Sequence, residues 1–368
     1  MALYLAQEFS YEDNVLEVFY NAPMVKQHIH SMSAQAWTEW LHEEQFSPKV
    51  LNFVLDYVYQ KKLTANLPSE FPEYLTNFFT NNAPVISEVH VSEDSTAKFL
   101  IQFADGVQVE SVLIPFNKKP TICLSSQAGC AMNCSFCYTG TQGLKRNLKA
   151  EEIIGQYLVV RDWMRENQKI ELNPNIVFMG QGEPFHNWQE VSLALSIFLH
   201  KKMVGLGPRQ ITLSTSGFME GFNAENLPPI NYALSLHSPF ESQREELIPI
   251  NKKYPLKSVI DHLQKIKLLP RQFITYEYLL IRDFNMSDEH ALALGKLLSG
   301  TKSIINLIPF NPFPGSRWER PRKEEIDLFK EKLVEQKLRV MIRTTKGDDI
   351  LAACGQLKVN KFSRKKYV

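Results

Sequence analysis

The chain has 368 residues, 44% of them hydrophobic and 22% charged, and a formal net charge of +1. These are ordinary values for a soluble globular protein with one large domain and a smaller one, or two medium domains, and a charge so near zero argues neither for nor against a nucleic-acid partner. The opening MALYLAQEFSYED lacks a basic region and a long apolar run, and no stretch approaches the roughly 18 apolar residues that span a bilayer, so no secretory signal and no membrane segment are expected and the protein is read as cytosolic.

Residues 1 to 90 carry helical, aromatic-rich segments such as MSAQAWTEWLHEE and SPKVLNFVLDYVYQKK, with Ser47-Pro48 marking a helix start, and read as a small helical domain. Next, 97–104 (AKFLIQFA) and 107–114 (VQVESVLI) flank Asp105-Gly106, a hairpin signal that makes 91–115 a β-hairpin extension. From 116 to 349 the pattern alternates. Short apolar strands are predicted at 121–125, 175–179, 210–215, 231–236, 273–281, 303–308 and 338–343. Amphipathic helices are predicted at 150–166, 188–201, 255–268, 287–299 and 322–336. Such alternation predicts an α/β fold with a parallel sheet or barrel, in which ligands gather at the carboxyl ends of the strands. The words MGQGEP, STSG, SLHS and PFNPFPG all fall there. Residues 350–368 form a C-terminal segment with a short basic tail.

Three of the five cysteines fall in GCAMNCSFCYTG, as Cys130, Cys134 and Cys137 in the spacing CxxxCxxC. In a reducing compartment a cluster of this kind is more often metal-binding or catalytic than a disulfide framework. A structural zinc site would need a fourth ligand close by, and no Cys or His lies between Cys137 and His186. Inert core cysteines clustered by chance are the blandest reading. The third is a 4Fe–4S cluster with three irons held by thiolates and one left open.

The spacing, with Phe136 before the last cysteine, resembles the radical SAM superfamily. That resemblance implies a partial (β/α)6 barrel in which S-adenosylmethionine (SAM) chelates the open iron. It implies a cofactor pocket lined by Gly182, Glu183, Ser214, Ser235, Leu236, His237 and Asn311. The words ICLSSQAGCAMNCSFCYTGTQGLKRNL, IPINKKYP, NLIPFNPFPG and RTTKGDDILAACGQL are similar, over roughly 97–358, to the RlmN/Cfr family of radical SAM RNA methyltransferases, RlmN above all. Gln181 departs from that pattern, which would have Met there.

By this resemblance one SAM methylates Cys354, and a second SAM yields a 5′-deoxyadenosyl radical that activates the S-methyl group for addition to an adenine carbon. Cys123 then releases the product by forming a disulfide with Cys354, and Glu110 is the proton acceptor. Read from its own strand, Glu110 would be a solvent-facing residue. The implied partners are 23S ribosomal RNA, with tRNA as a second substrate, and an electron donor; a monomer is expected. The basic pairs Lys118-Lys119, Lys145-Arg146, Lys201-Lys202 and Lys252-Lys253 and the tail Arg364-Lys365-Lys366 are candidate phosphate contacts, though paired surface lysines are more often simply solvated. Three rivals stay open at this point: a Cfr-type enzyme acting at C8, an iron–sulfur RNA sensor without catalysis, and a radical SAM enzyme with a small-molecule substrate.

Overall fold

The computed structural model describes residues 26–62, 66–116 and 119–359; the first 25 residues, Lys118 and the tail Arg364-Lys365-Lys366 lie outside them. Three helices, α1 (Ala34–Glu43), α2 (Leu51–Gln60) and α3 (Phe71–Phe78), form the N-terminal part, with the short parallel pair β1 (Gln27–His28) and β2 (Phe79–Thr80) beside them. Ser33 starts α1 by accepting the Ala36 N–H, and Ser47 caps a single turn at Pro48 that runs into α2.

A ten-stranded sheet follows. Three strands, β3 (Val85–Val91), β4 (Ala97–Gln102) and β5 (Gln108–Ile114), pair antiparallel, and β5 joins β6 (Thr121–Cys123) antiparallel. The hairpin expected at 91–115 is therefore a three-stranded extension that begins at Val85 and crosses the expected 90/91 boundary. From β6 onward the strands are parallel: β9 (Asn175–Phe178), β10 (Ile211–Thr215), β11 (Asn231–Ser235), β12 (Ile274–Leu280), β13 (Ser303–Pro309) and β14 (Val340–Ile342). A small antiparallel ribbon, β7 (Gln127–Gly129) with β8 (Leu144–Asn147), stands apart from the sheet.

Helices α4 (Ala150–Gln168), α5 (Trp188–Leu199), α6 (Glu241–Leu247), α7 (Leu256–Leu263), α8 (Asp288–Leu298) and α9 (Lys323–Glu335) fill the crossovers. Central strands such as β11 and β12 are buried along nearly their whole length, as parallel strands covered on both faces must be. Among the described residues, no helix is long and apolar enough to cross a membrane.

The sheet explains one departure from the sequence reading. β5 is buried on both faces, so Glu110 is 2% exposed and not a solvent-facing residue. One face meets α4, where Ser111 Oγ donates to Gln156 Oε1 at 2.9 Å. The other, with Glu110, Val112 and Ile114 at alternate positions, is covered by the C-terminal segment: Val112, Ile114 and Cys123 pack with Ala352 and Leu357.

Candidate active site

The loop that follows β6 carries the three clustered cysteines, and the β7–β8 ribbon ties its ends together. Cys130 N–H donates to the Gly143 carbonyl at 3.0 Å. Gly129 lies at φ +79°, and a Cβ there would stand 1.9 Å from the Gly143 oxygen, so closure requires glycine. Inside the loop, Cys137 N–H donates to Cys134 O and Gly140 N–H to Cys137 O, both at 3.1 Å. The coil turns Cys130, Cys134 and Cys137 onto one cavity of about 150 Å³.

The opposite wall is made of strand ends. Gly182, Glu183, Ser214, Ser235 and His237, all candidates by family resemblance, line it together with Thr215, Ser216, Glu277 and Arg343, which were not among those candidates. Ser216 was within reach of the sequence reading, since it lies two positions beyond Ser214 in the same LSTSG word. Its N–H and its hydroxyl both donate to Glu183 Oε2 at 2.7 Å, while Phe185 N–H donates to Oε1 at 3.2 Å. Burial raises the pKa of Glu183, and these donors pull it back.

Burial drives the His237 pKa down to about 3, and the nearby Arg244 adds to this, so its imidazole is neutral; Nδ1 accepts the Leu279 N–H at 3.1 Å. Its ring meets Phe136 edge-on, with centroids 4.6 Å apart. Arg244, also missed from sequence, is fully buried and locks the ends of β10 and β11: Nη2 donates to Ser216 O at 2.7 Å and to Ser235 O at 2.8 Å, and Nε to Leu236 O at 3.2 Å.

Two expected cofactor residues sit elsewhere. Leu236 does not line this cavity; its side chain is part of the apolar core, because strand alternation turns it away from Ser235 and His237. Asn311 lines a neighbouring cavity with Cys123, Arg343 and Cys354, and its Nδ2 donates to the Cys354 carbonyl at 3.1 Å. Cys354 borders both cavities, which joins the clustered cysteines to Cys123.

Its segment is stitched to the cluster loop, since Tyr138 N–H donates to Gly355 O at 2.6 Å and Thr139 Oγ1 to Leu357 O at 2.6 Å. All five cysteines are free thiols, so the Cys123–Cys354 disulfide implied by resemblance is not part of this structure. Burial, reinforced by Cys354, pushes the Cys123 thiol up to about 12. Arg343 lines the cavity that Cys123 and Cys354 share, and the attraction of Cys354, followed by that of Glu277 and Cys123, raises the pKa of its guanidinium despite burial.

Glu110 lines neither cavity. Its carboxylate is 3.2 Å from Lys98 Nζ and accepts the Lys358 N–H at 2.8 Å; burial raises its pKa and Lys98 opposes the shift. Gln181 is 1% exposed, and both atoms of its amide lack a hydrogen-bond partner. Several of the candidate phosphate contacts are already engaged: Arg146 with Glu152 and Asp105, Lys202 with Asp56, and Lys253 with Glu220.

The radical SAM superfamily pattern matches residues 124–294. The dual-specificity RNA methyltransferase RlmN of Lawsonia intracellularis is 40% identical over 323 residues, which is 84% of this chain and 90% of that protein. A probable dual-specificity RNA methyltransferase RlmN of Akkermansia muciniphila is 39% identical over 327 residues, 85% of this chain and 90% of that one. The crystal structure of a radical SAM methyltransferase from Sphaerobacter thermophilus superposes with a TM-score of 0.82 at 31% identity, over 90% of this chain and 99% of that one. The chain belongs to the RlmN/Cfr family of radical SAM methyltransferases.

Membership in this family means an enzyme that works with a 4Fe–4S cluster and SAM. The residues of this radical SAM methyltransferase fit that pair. Soft sulfur donors line one cavity, and burial holds the thiols of Cys130 (to about 12), Cys134 and Cys137 above the usual cysteine range, a cost that cationic iron would offset. Among the described residues no three His, Cys, Asp or Glu side chains are gathered tightly enough to hold a single ion. A cluster that takes one thiolate on each of three irons has no need of that crowding, whereas one zinc would draw its sulfurs to within about 4 Å of each other.

Proposed function

We propose that the enzyme methylates carbon 2 of an adenosine in the peptidyl-transferase region of 23S ribosomal RNA, with adenosine 37 of tRNA as a second substrate, and that Cys354 carries the methyl group as S-methylcysteine. The observation that supports this reading is the position of Cys354, which borders both the cavity of the three clustered cysteines and the cavity of Cys123. Carbon 2 of adenine has no nucleophilic lone pair, so direct transfer from a sulfonium is unfavourable and a radical route through a carrier is needed. The cluster and SAM supply the methyl group and the 5′-deoxyadenosyl radical.

The chain's own residues supply the setting. Cys130, Cys134 and Cys137 hold the cluster, and Gly182, Glu183, Ser214, Ser235 and His237 line the SAM pocket. Asn311 fixes the backbone of the carrier residue through the Cys354 carbonyl. Arg343 lines both cavities that Cys354 borders, and its charge partly opposes the burial that raises the Cys123 thiol. Glu110 is assigned as the acceptor of the ring proton, and Cys123 as the second catalytic thiol.

The deciding experiment incubates anaerobically reconstituted enzyme with protein-free 23S RNA, SAM and a reductant, then digests the RNA and identifies the methyladenosine by mass spectrometry. The expected product is 2-methyladenosine; 8-methyladenosine alone would reject the assignment to carbon 2. Cys354→Ala should abolish methylation while leaving the visible absorbance of the cluster unchanged, and an undiminished yield would reject Cys354 as carrier.

A further inference from the structure

One buried ion pair lies beneath the Cys354 segment. Lys98 on β4 and Glu110 on β5 lie on the sheet face that the segment covers, with side chains only 7% and 3% exposed, and Lys98 Nζ stands 3.2 Å from Glu110 Oε1. Each partner also grips the main chain of the segment. Lys98 Nζ donates to the Leu351 carbonyl at 3.3 Å, and Glu110 Oε2 accepts the Lys358 N–H at 2.8 Å.

These two main-chain groups bracket Cys354, three residues before it and four after. Leu351 is held at φ +52°, a left-handed conformation that a leucine does not adopt without support. Few apolar contacts share the task, because the segment's buried side chains are Ala352, Ala353, Gln356 and Leu357. A charge buried without its partner is strongly unfavourable, so Lys98 and Glu110 hold each other in place as they hold the segment.

We propose that Lys98 is a positioning residue for the methyl-carrying step: paired with Glu110, it clamps residues 351–358 and so sets where the Cys354 sulfur stands. This rests on the reading of Cys354 as methyl carrier. Lys98 touches neither cavity, so its action runs through the backbone of the segment. Because the same carboxylate is assigned the ring proton, protonation of Glu110 late in the reaction would also slacken the clamp.

The test uses the full-length, cluster-loaded protein with Lys98→Met and with the double variant Lys98→Met/Glu110→Gln, which leaves no unpaired charge and so preserves folding. Hydrogen exchange by mass spectrometry follows residues 351–358, and a parallel assay measures 5′-deoxyadenosine formed per methyladenosine. In both variants exchange across 351–358 should accelerate about tenfold or more while α4 keeps its protection. In Lys98→Met, which keeps the assigned proton acceptor Glu110, the ratio of 5′-deoxyadenosine to product should rise about fivefold or more, because the radical would then form beside a misplaced sulfur. Unchanged protection of 351–358 in the double variant would overturn the clamp, and faster exchange with an unchanged ratio in Lys98→Met would overturn its positioning role. Exchange does not depend on turnover, so a failure of Cys354 as methyl carrier would be seen separately, as methylation that survives Cys354→Ala.

Discussion

The N-terminal helices and the C-terminal Cys354 segment both dock on the strand-and-helix core, by opposite means. The helices bury Trp37, Leu41, Val54, Leu55, Tyr59, Phe71 and Leu75, and Trp37 lies edge-on to Trp40 at 5.6 Å and 5.1 Å from Phe79. Polar ties to the core include Gln60 Nε2 to Met203 O at 2.7 Å, Lys61 to Asp162 at 2.6 Å, Arg161 Nη1 to Tyr59 O at 3.4 Å and Lys202 to Asp56 at 3.7 Å. The Cys354 segment has little to bury. It is held by Lys98, Glu110, Asn311 and Tyr138, by Ser92 Oγ donating to Asp349, and by Gly347 N–H donating to Asp94 at 3.2 Å. Interlocked rings fix one position whose loss is all or none. A set of hydrogen bonds worth about 1 kcal/mol each can be loosened piecemeal, which suits the carrier role proposed for Cys354.

The largest effect that would test this contrast is Trp37→Ala. Trp37 is fully buried among rings, and truncation to Ala should cost about 3–5 kcal/mol. Chemical denaturation should lose that amount, and hydrogen exchange should rise across α1 and α2 while residues 347–358 keep their protection. Joint loss of protection in both regions would mean that they share one cooperative unit, and the contrast would fail.

Acid gives the next largest effect. Burial, reinforced by the charge on His28, lowers the His30 pKa from 6.5 to about 4, and its Nε2 faces the Val58 carbonyl at 3.4 Å. A depressed histidine pKa means that the fold favours the neutral ring. Its contribution is complete above pH 6.5 and is lost as the pH falls toward 4, by about 3 kcal/mol in all. Denaturation midpoints should fall from pH 7 to pH 4, with His237 adding to the loss because the fold also favours its neutral ring, and His30→Gln should remove about 3 kcal/mol of that loss. A loss undiminished in His30→Gln would place the acid sensitivity elsewhere.

How much of this was legible in the sequence follows the same division. The parallel strands could be placed because helices cover both faces of them, which leaves uninterrupted apolar runs; NYAL at β11 and FITYEYLLI at β12 announce themselves. The cysteine spacing is local, as is the strand-end position of Glu183, Ser214 and His237. Arg343 obeys the same strand-end rule one residue past β14 and could have been found by it.

β3 escaped because it lies at the sheet edge and is mostly exposed, so VISEVHV carries little apolar contrast. α6 escaped because ESQREEL buries only Arg244 and Leu247. Glu110 was misread for a different reason: its face is covered by residues some 240 positions later, and no local pattern encodes a partner so distant in the chain. The same holds for Lys98, whose place beside a flanking Thr96 and Ala97 says nothing about the Leu351 carbonyl that it meets.

The smallest effect tests the outer edge of the segment. Asp94, in the turn between β3 and β4, accepts the Thr96 N–H on Oδ1 at 2.9 Å and the Gly347 N–H on Oδ2, with Lys346 3.7 Å away. Burial works against its charge, but hydrogen bonds from Thr96, Gly347 and Ser92 outweigh this and hold its pKa down at about 2. A depressed carboxylate stabilises the fold above its ordinary value near 4, and that stabilisation is lost as the pH falls through 2. At neutral pH, Asp94→Asn removes the charge and turns one of the two acceptor oxygens into an NH2 donor, so one of these hydrogen bonds is lost, at a cost of about 1 kcal/mol. Exchange at Gly347 and Ala352 should rise about two- to fivefold, against tenfold or more across 351–358 for Lys98→Met, with the thermal midpoint moved by no more than a few degrees. If Asp94→Asn loosened 351–358 as much as loss of Lys98 does, the segment would open as one piece from its edge, and the buried ion pair would be a bystander to a hinge at Gly347.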